Sequence, residues 1–338
     1  LKQSGCCDCL GLAAMAARIW ICAYCCGAVV VLLALAVGIM MRDVNHMLGD
    51  WKLATMRWND VSCRIIGMDL IRGGDDLALW RNGVAIVSAG DLRVALSKDP
   101  AEATDTGVFA VDLHAAAAKH HAGDRDDTLT GTDIIRRIEL LGFPVGEQLV
   151  GHGMFLSNAS GRAYFINHGS LKVGKSFVEV FGVEGEDFKS LRLRHLSRIS
   201  SPLILAGGIN DVVEGRGPWE VFVSVWRHYG QTQRLKANGR ENADAAILGL
   251  MKYRYFGTDG KLGVLRCIDE AHAEGSSFEA SPWSCERTSA WNIVSANGLA
   301  ISPERDLLLV SCTECQEVLR YVVSSSGKLH EIKPRIQM

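Results

Sequence analysis

Four places in the sequence put oxygen-bearing or imidazole side chains beside glycine at the border of an apolar run. They are the adjacent pair Asp75-Asp76, His152 in "GHGMFL", the adjacent pair Asn210-Asp211 in "LAGGINDVVEG", and Asn297 in "ANGLAISPERD". Asn, Asp and Gly tolerate left-handed backbone, and the side chains of Asn and Asp hydrogen-bond their own loop. The stretch around Asn210-Asp211 alone therefore favours a turn, and a chemical role needs support from the remainder of the chain.

Two further clusters could suggest a metal site. The "CTEC" motif at 312–315 has no second CxxC motif and no histidine pair at ligand spacing near it, so zinc is not indicated. The stretch 113–133 is Ala-rich and polar, and it contains His120, His121, Asp124, Asp126 and Asp127. Nothing in the sequence holds these groups in one geometry, so we interpret the stretch as a solvated loop.

Composition describes an ordinary globular protein. The chain has 338 residues, a formal net charge of -2 and 48% hydrophobic residues, which is enough apolar material for a core. The balanced charge indicates no nucleic acid partner, and it leaves protein partners unspecified. With 22% charged and 7% aromatic residues, wholesale disorder is not expected.

An uncharged apolar stretch occupies residues 19–41. At about 1.5 Å per residue it is long enough to cross a hydrocarbon core of about 30 Å. It exceeds the apolar region of a cleaved signal peptide, so we predict a single-pass transmembrane helix that contacts membrane lipid. Lys2 and Arg18 precede it while Arg42 and Lys52 follow it, so the positive charges do not decide its orientation.

The predicted anchor divides the chain. We expect an N-terminal tail at 1–18, the anchor at 19–41, a connector at 42–62 and a folded body at 63–338. The sequon Asn158-Ala159-Ser160 is a candidate glycosylation site, and it is compatible with a lumenal or extracellular body.

The cysteines fall into two groups. Those in or beside the anchor are candidates for palmitoylation or for small apolar packing: Cys6, Cys7, Cys9, Cys22, Cys25 and Cys26. The body carries an odd number, which in an oxidising compartment leaves one without a partner: Cys63, Cys267, Cys285, Cys312 and Cys315.

Short β-rich runs recur through the body. They lie at 83–90, 106–113, 162–169, 176–185, 219–226, 306–312 and 317–324. Turn residues join them and no long amphipathic helix separates them, which indicates an all-β protein. Residues 227–295 are interpreted as a long irregular insertion with a helix at 243–253.

A unit of blade size repeats in this pattern. The hairpin plan at 161–183 recurs at 301–323, and a repeat of roughly 40 to 50 residues indicates a β-propeller. A β-sandwich is the alternative. In a propeller, loops at one end of the strands converge on a central channel, so residues distant in sequence can meet there.

Several segments together resemble the serum paraoxonase/arylesterase family in order and nearly in spacing. They are "GGDDLALWRNGVAIVSAG" at 73–90, "GHGMFLSNASGRAYFINHG" at 151–169, "LRHLSRISSPLILAGGINDVV" at 193–213 and "NGLAISPERDLLLV" at 297–310. The resemblance covers roughly residues 63–325. Single motifs of this kind also occur in strictosidine synthase-like and gluconolactonase-like propellers, whereas the ordered set behind an apolar anchor is specific.

The resemblance implies a six-bladed propeller that holds two calcium ions. By position, Asp75, Asn210 and Asn297 match ligands of the family's catalytic calcium, and Asp76, Asp211 and the backbone carbonyl of Met154 match its structural calcium site. Calcium takes six to eight oxygens from carboxylates, amides and backbone carbonyls, which agrees with this set.

Two histidines complete the site that the resemblance implies. His152 matches the family's active-site histidine and His168 its partner. A neutral imidazole with a pKa of about 6.5 suits a general base at neutral pH, while calcium would polarise an ester or lactone carbonyl. The alternative for each histidine is an ordinary strand-end residue hydrogen-bonded to backbone.

The chain departs from the family pattern in two ways. Asp75 replaces a glutamate, which shortens that ligand by one methylene. The family also continues beyond the end of this chain with an Asp-Asn pair at the catalytic calcium and a cysteine that pairs with one placed like Cys63. Since the chain also begins at Leu1 rather than Met, we expect a fragment or an inactive member.

The leading hypothesis is a calcium-dependent hydrolase of aryl esters or lactones. The alternatives are a noncatalytic membrane-anchored propeller with a binding or chaperone-like role, and a strictosidine synthase-like or gluconolactonase-like propeller with other metal ligands. Calcium titration and assays of ester hydrolysis distinguish these hypotheses.

Overall fold

The computed structural model describes residues 65–66, 70–71, 74–90, 106–121, 128–129, 133–170, 175–228, 263–270, 283–291, 293, 296–312 and 316–337. All of them belong to the unit formed by Ser62–Met338. The predicted anchor at 19–41, the connector at 42–62, the helix at 243–253 and Cys63 lie outside the described residues. Within the described part of the chain, no helix is long and apolar enough to cross a membrane.

Extended segments dominate the described residues, and the strands follow the chain in this order: β1 (Ile65–Ile66), β2 (Gly74–Leu79), β3 (Val84–Ala89), β4 (Gly107–Asp112), β5 (Thr128–Leu129), β6 (Ile135–Arg137), β7 (Glu139–Leu141), β8 (Gly151–Ser157), β9 (Arg162–Ser170), β10 (Lys175–Glu184), β11 (Arg192–Ile199), β12 (Gly207–Glu214), β13 (Glu220–His228), β14 (Gly263–Asp269), β15 (Trp283–Trp291), β16 (Ala296–Ile301), β17 (Leu307–Cys312), β18 (Glu317–Val323) and β19 (Leu329–Gln337). Helix α1 spans Leu113–His121 and helix α2 spans Pro202–Ala206, and a 3-10 helix spans Arg81–Gly83.

Four sheets follow one another along the described chain. Their strand orders are β2-β3-β4-β6, β8-β9-β10-β11 with β7 added beside β11, β12-β13-β14-β15, and β16-β17-β18-β19. Neighbouring strands are antiparallel in all four sheets except for the parallel pair β7 and β11. Each sheet therefore contains a four-stranded antiparallel meander in chain order, to which the second sheet adds β7 as a fifth strand.

The first strands of consecutive sheets contact one another in chain order. Strand β2 contacts β8, β8 contacts β12, and β12 contacts β16. We call these the inner strands. Sheets joined in series through their first strands form the blades of a β-propeller rather than the two facing layers of a sandwich. The propeller prediction is confirmed, with four blades in the described residues, while a total of six remains a prediction.

The hydrophobic core lies between consecutive blades. Ile86 and Val108 of the first blade pack with Phe165 and Phe181 of the second. The second and third blades share another cluster that includes Tyr164 and Val223, and the third and fourth share a cluster that includes Phe222 and Leu308. Strands in the middle of a blade are covered on both faces, which explains why Val221–Val225 of β13 are all buried.

Two sequence interpretations are corrected here. The stretch after β4, which we expected to be a loop, begins as helix α1. Alanine has the highest helix propensity, and the Asp112 carboxylate accepts a hydrogen bond from the Ala115 N–H at 2.9 Å, as an N-cap does. Residues 122–127 lie outside the described residues, as do Asp124, Asp126 and Asp127.

The expected insertion at 227–295 contributes two strands, β14 and β15, to the third blade. A disulfide joins Cys267 to Cys285, which lie directly opposite each other on these strands. Cys312 at the end of β17 is also disulfide-bonded. Disulfides persist in oxidising compartments.

Candidate metal and catalytic site

The candidate ligands and one of the two histidines lie on the four inner strands. Asp75 and Asp76 are on β2, His152 and Met154 on β8, Asn210 and Asp211 on β12, and Asn297 on β16. The turn that we expected at Asn210-Asp211 is wrong, because both residues lie within strand β12. His168, on β9, is the candidate that comes from the neighbouring strand of its blade.

A break in strand register accompanies each group. On β2, Gly74 lies opposite Ala89 and Asp76 opposite Ser88, so that Asp75 is one residue more than the partner strand supplies. The other three inner strands show the same one-residue excess: Gly151 and Met154 face Asn167 and Phe165, Ile209 and Val212 face Val225 and Val223, and Ala296 and Leu299 face Cys312 and Val310. The bulges therefore contain Asp75, His152-Gly153, Asn210-Asp211 and Asn297-Gly298.

A β-bulge interrupts the alternation of side chains and turns a side chain in a new direction. This explains how neighbouring residues reach different partners. Asp75 contacts His152, whereas Asp76 accepts a hydrogen bond from the Met154 N–H. Asn210 also contacts His152, whereas Asp211 accepts one from the Leu299 N–H.

The first cluster centres on His152. Its Nε2 lies 3.0 Å from Asp75 Oδ2 and 3.3 Å from Asn210 Nδ2. The His152 side chain is 14% exposed and that of Asp75 is 35% exposed, so the cluster is reachable from solvent. Three inner strands thus bring a carboxylate, an imidazole and an amide into direct contact.

A second histidine lies behind the first. His152 Nδ1 is 3.0 Å from His168 Nε2, and His168 Nδ1 is 2.6 Å from the hydroxyl of Ser176 on β10. His168 is buried, and this burial, together with the nearby His152, lowers the pKa of His168 to about 3. His168 is therefore neutral at physiological pH and carries a proton on only one of its ring nitrogens.

The second cluster contains Asp76 and Asp211. Asp76 Oδ2 accepts the Met154 N–H at 2.8 Å, and Asp211 Oδ2 accepts the Leu299 N–H at 2.6 Å. The pKa of Asp211 is raised to about 7: burial is the largest cause, the charge of Asp76 acts in the same direction, and the N–H donors of Leu299 and Val212 oppose the rise. Burial also raises the pKa of Asp76, and the nearby Asp75 adds to this effect.

Glycine at position 153 permits β8 and β12 to approach closely. A Cβ atom placed there would overlap the Asn210 carbonyl oxygen and lie 2.7 Å from Asp211 Oδ1. Any larger residue would push apart the strands that carry His152 and the Asn210-Asp211 pair. The glycine in "GHGMFL" is therefore required by the packing of these two strands.

Serines on the second strand of two blades form hydrogen bonds with the backbone groups of the bulges. Ser224 Oγ accepts the Asp211 N–H at 2.9 Å and donates to the Asn297 carbonyl at 2.6 Å. Ser311 Oγ accepts the Gly298 N–H at 2.7 Å. Sequence reasoning did not identify Ser176, Ser224 or Ser311, because an isolated serine within a strand carries no local signal. A serine on the strand that follows the Asn-Asp or Asn-Gly pair, 13 residues after the residue whose N–H it accepts, is the signal that could have found the last two.

Asn297 and Asn158 occupy different settings. Asn297 lies on β16 in the fourth bulge, half-buried, with its carbonyl bonded to Ser224. Asn158 lies in the exposed turn between β8 and β9, where it would be accessible to glycosylation. That modification remains a prediction.

The oxygen donors fit calcium better than a transition metal. In the described part of the chain, no group of three or more His, Cys, Asp or Glu side chains is arranged to hold a metal ion. Calcium, however, also takes amide and carbonyl oxygens, which the inner strands supply through Asn210, Asn297 and the main chain. Buried carboxylates that raise one another's pKa are the arrangement that a divalent cation stabilises.

No protein-family model and no curated protein sequence matches this chain. Among solved structures, it is similar to a proposed 6-phosphogluconolactonase from Bacteroides fragilis, with a TM-score of 0.41 and 14% identity over 78% of this chain and 55% of the other. It is also similar to the periplasmic gluconolactonase of Pseudomonas aeruginosa, with a TM-score of 0.39 and 11% identity over 78% and 57% of the two chains. A gluconolactonase from Xanthomonas campestris follows, with a TM-score of 0.37 and 13% identity over 72% and 55%.

The matched part of each of these structures is little more than half of its length.

Proposed function

We propose that this chain is a membrane-anchored, calcium-dependent hydrolase of lactones or aryl esters. The observation that carries the proposal is the convergence of Asp75, His152 and Asn210 from three inner strands, with the neutral His168 behind His152. This arrangement joins oxygen ligands for a cation to an imidazole that can accept a proton from water.

Two sets of residues would hold the cations. Asp75, Asn210 and Asn297 would bind the catalytic calcium, and Asp76, Asp211 and the Met154 carbonyl would bind the structural one. The fit to calcium is supported by the donor chemistry and by the raised pKa of the Asp211 carboxyl. Bound calcium polarises the scissile carbonyl and stabilises the oxyanion.

His152 can act as base only when its Nε2 carries a lone pair. A carboxylate only accepts hydrogen bonds, so whenever Asp75 is paired with His152, the proton must sit on Nε2, 3.0 Å from Asp75 Oδ2. When Asp75 binds a cation instead, Nε2 can accept the amide N–H of Asn210 or a proton from water. Cation binding by Asp75 therefore also frees the base.

In the reaction, His152 first accepts a proton and later returns it. A water oxygen forms a bond to the carbonyl carbon while its proton passes to His152 Nε2. Collapse of the tetrahedral intermediate breaks the bond to the leaving oxygen, which takes the proton back from His152. The products are the carboxylic acid, which releases its proton to solvent as it ionises, and the alcohol or phenol; both groups remain in one molecule when the substrate is a lactone.

Two features support a lumenal or extracellular location for the body. The disulfide between Cys267 and Cys285 suits an oxidising compartment. The exposed Asn158 would be available to the glycosylation machinery there. Membrane attachment through residues 19–41 follows from their apolar sequence.

Activity assays with matched variants test the proposal. The full chain is assayed on phenyl acetate and on a simple γ-lactone, with calcium and with EDTA. We expect activity that EDTA abolishes and calcium restores, and a loss of at least about 100-fold for Asp75→Asn, which replaces the charged carboxylate of the proposed site by a neutral amide. Asp187→Asn removes a carboxylate from an exposed turn of the second blade and serves as the control. Activity that resists EDTA, or that Asp75→Asn leaves intact, contradicts the proposal.

A noncatalytic calcium-binding propeller is the second candidate. It is favoured by the links that Asp76 and Asp211 already make, because their backbone hydrogen bonds connect β2 to β8 and β12 to β16. A calcium bound there would hold four blades together without any chemistry. Calcium titration by calorimetry separates the candidates: one tight site that Asp211→Asn removes, with no hydrolysis of either substrate, supports the noncatalytic protein.

A further inference from the structure

A serine hydroxyl lies at the buried end of the histidine pair. Ser176 is at the start of β10, where the register with β9 shifts between Lys175 and Phe177. This shift places Ser176 beside His168, with Oγ 2.6 Å from Nδ1. Both side chains are buried, so solvent does not compete for the contact.

The three side chains form one continuous line of hydrogen bonds. Ser176 contacts His168 Nδ1, and His168 Nε2 contacts His152 Nδ1 at 3.0 Å. Because a neutral imidazole has one N–H and one acceptor nitrogen, the proton position on His168 determines the one on His152. If Nδ1 of His168 carries the proton, Nε2 of His168 accepts from His152, and His152 Nε2 is left with a lone pair toward Asn210.

The opposite tautomer has the opposite consequence. With the proton on Nε2 of His168, His152 Nδ1 becomes the acceptor and His152 Nε2 must carry the proton. That nitrogen could then only donate, for instance to Asp75, and it could not accept a proton from water. The tautomer of His168 therefore decides whether His152 is a base.

We propose that Ser176 is a positioning residue that accepts the Nδ1–H of His168 and thereby holds the lone pair of His152 Nε2 toward the site. This inference rests on the proposed function, since it assigns the support of the proposed base. When His152 accepts a proton, His168 Nε2 continues to accept the Nδ1–H of His152.

Nitrogen-15 NMR of histidine-labelled protein tests the tautomer without any assay of activity. The full chain is recorded with calcium, and the His168 signals are identified by their loss in His168→Gln. We expect the Nδ1–H tautomer of His168 in the wild type, and a shift toward the Nε2–H tautomer in Ser176→Ala. An Nε2–H tautomer in the wild type, or no change in Ser176→Ala, overturns the proposal.

Kinetics provide the second measurement. Because Ser176 acts through the base, Ser176→Ala should lower kcat by about 10- to 100-fold with little change in KM, and Ser176→Thr, which keeps the hydroxyl, should recover most of the loss. The control is Ser157→Ala. Ser157 lies on the same inner strand as His152, and the substitution removes a buried hydroxyl that donates a hydrogen bond to Glu214. It should lower stability but change neither kcat nor the His168 tautomer.

The two proposals fail in different ways. Suppose that His168 has the Nδ1–H tautomer in the wild type and loses it in Ser176→Ala, but that the wild type hydrolyses neither substrate. This result contradicts the proposed function and supports the positioning role of Ser176. Hydrolysis that depends on calcium and Asp75 but not on Ser176 contradicts the positioning role alone.

Discussion

At the scale of single residues, the site depends on small groups at the bulges. Gly153 lets β8 approach β12, and Ser224 links the Asp211 N–H to the Asn297 carbonyl. Neither residue takes part in chemistry. Both determine how far apart the chemical groups of neighbouring blades lie.

We expect Gly153→Ala to destabilise the protein by about 1–3 kcal/mol, because the added methyl group overlaps the Asn210 carbonyl and β12 must move. Urea unfolding with EDTA present measures the change without any contribution from cations. Gly182→Ala is the matched control, since its added methyl would meet only Leu196 at 3.6 Å or more. Equal unfolding free energies for the two variants would contradict the close approach of β8 and β12.

At the scale of elements, one buried carboxylate joins the ends of three blades away from the bulges. Glu214, at the end of β12, accepts from Ser157 at 2.8 Å, from Ser160 at 2.6 Å and from the Tyr164 hydroxyl at 2.9 Å. Arg305, in the turn between β16 and β17, adds its guanidinium at 3.1 Å. Burial and the Glu214 charge raise the pKa of Tyr164, which keeps its hydroxyl a donor.

Arg305→Met should therefore cost about 2–4 kcal/mol, because it leaves the carboxylate of Glu214 buried without its cation. Thermal and urea unfolding measure the loss. Arg194→Met removes an exposed arginine that pairs with Glu184 on the second blade, and surface pairs contribute little, so we expect it to unfold like the wild type. An Arg305 variant as stable as the Arg194 variant would show that Glu214 does not join the blades.

At the scale of the whole molecule, buried glutamates make stability depend on acid. Glu179 on β10 is fully buried, and it receives hydrogen bonds from Asn167, His195 and Arg198. Burial raises the pKa of Glu179, but these donors outweigh burial, so its pKa in the folded state lies below the ordinary value of 4.5. Glu220, between Arg216 and Arg266, has a lowered pKa for the same reason.

A lowered pKa in the folded state means that the unfolded state binds protons first as the pH falls. The contribution of Glu179 is therefore fully present above the ordinary value of 4.5 and declines as the pH falls from there through the folded-state pKa. We expect Glu179→Gln to flatten the acid side of a plot of unfolding free energy against pH. Glu186→Gln, in an exposed turn, should keep the wild-type slope. Parallel slopes for wild type and Glu179→Gln would contradict this prediction.

Much of the fold follows from local pattern. The runs that became β3, β4, β9, β10, β13, β17 and β18 alternate or are continuously apolar, because these strands are covered by neighbouring blades. Their repetition predicted the propeller. Helix α1 was missed because its alanine-rich stretch sits among polar residues, and β14 and β15 were missed because we interpreted the whole stretch 227–295 as one irregular insertion.

The structure brings several candidate residues into contact, and their roles remain predictions, but the turn expected at Asn210-Asp211 was the wrong local structure. Gly, Asn and Asp are depleted in strands, so "GGIND" and "GHGMF" indicate turns by composition. In the structure these residues lie in bulged inner strands. Bulges accommodate residues that fit poorly in a regular strand, and this exception is invisible without the partner strand.

The sequence by itself determined the kinds of groups available: the Asp75-Asp76 and Asn210-Asp211 pairs, the two histidines, and a repeat of blade size that forms a propeller. Only the tertiary structure decided that Asp75, Asn210 and His152 contact one another, and that Ser176 stands behind His168. The physical reason is that strand register and blade packing are set by contacts between segments far apart in the chain. Local composition carries no information about such contacts.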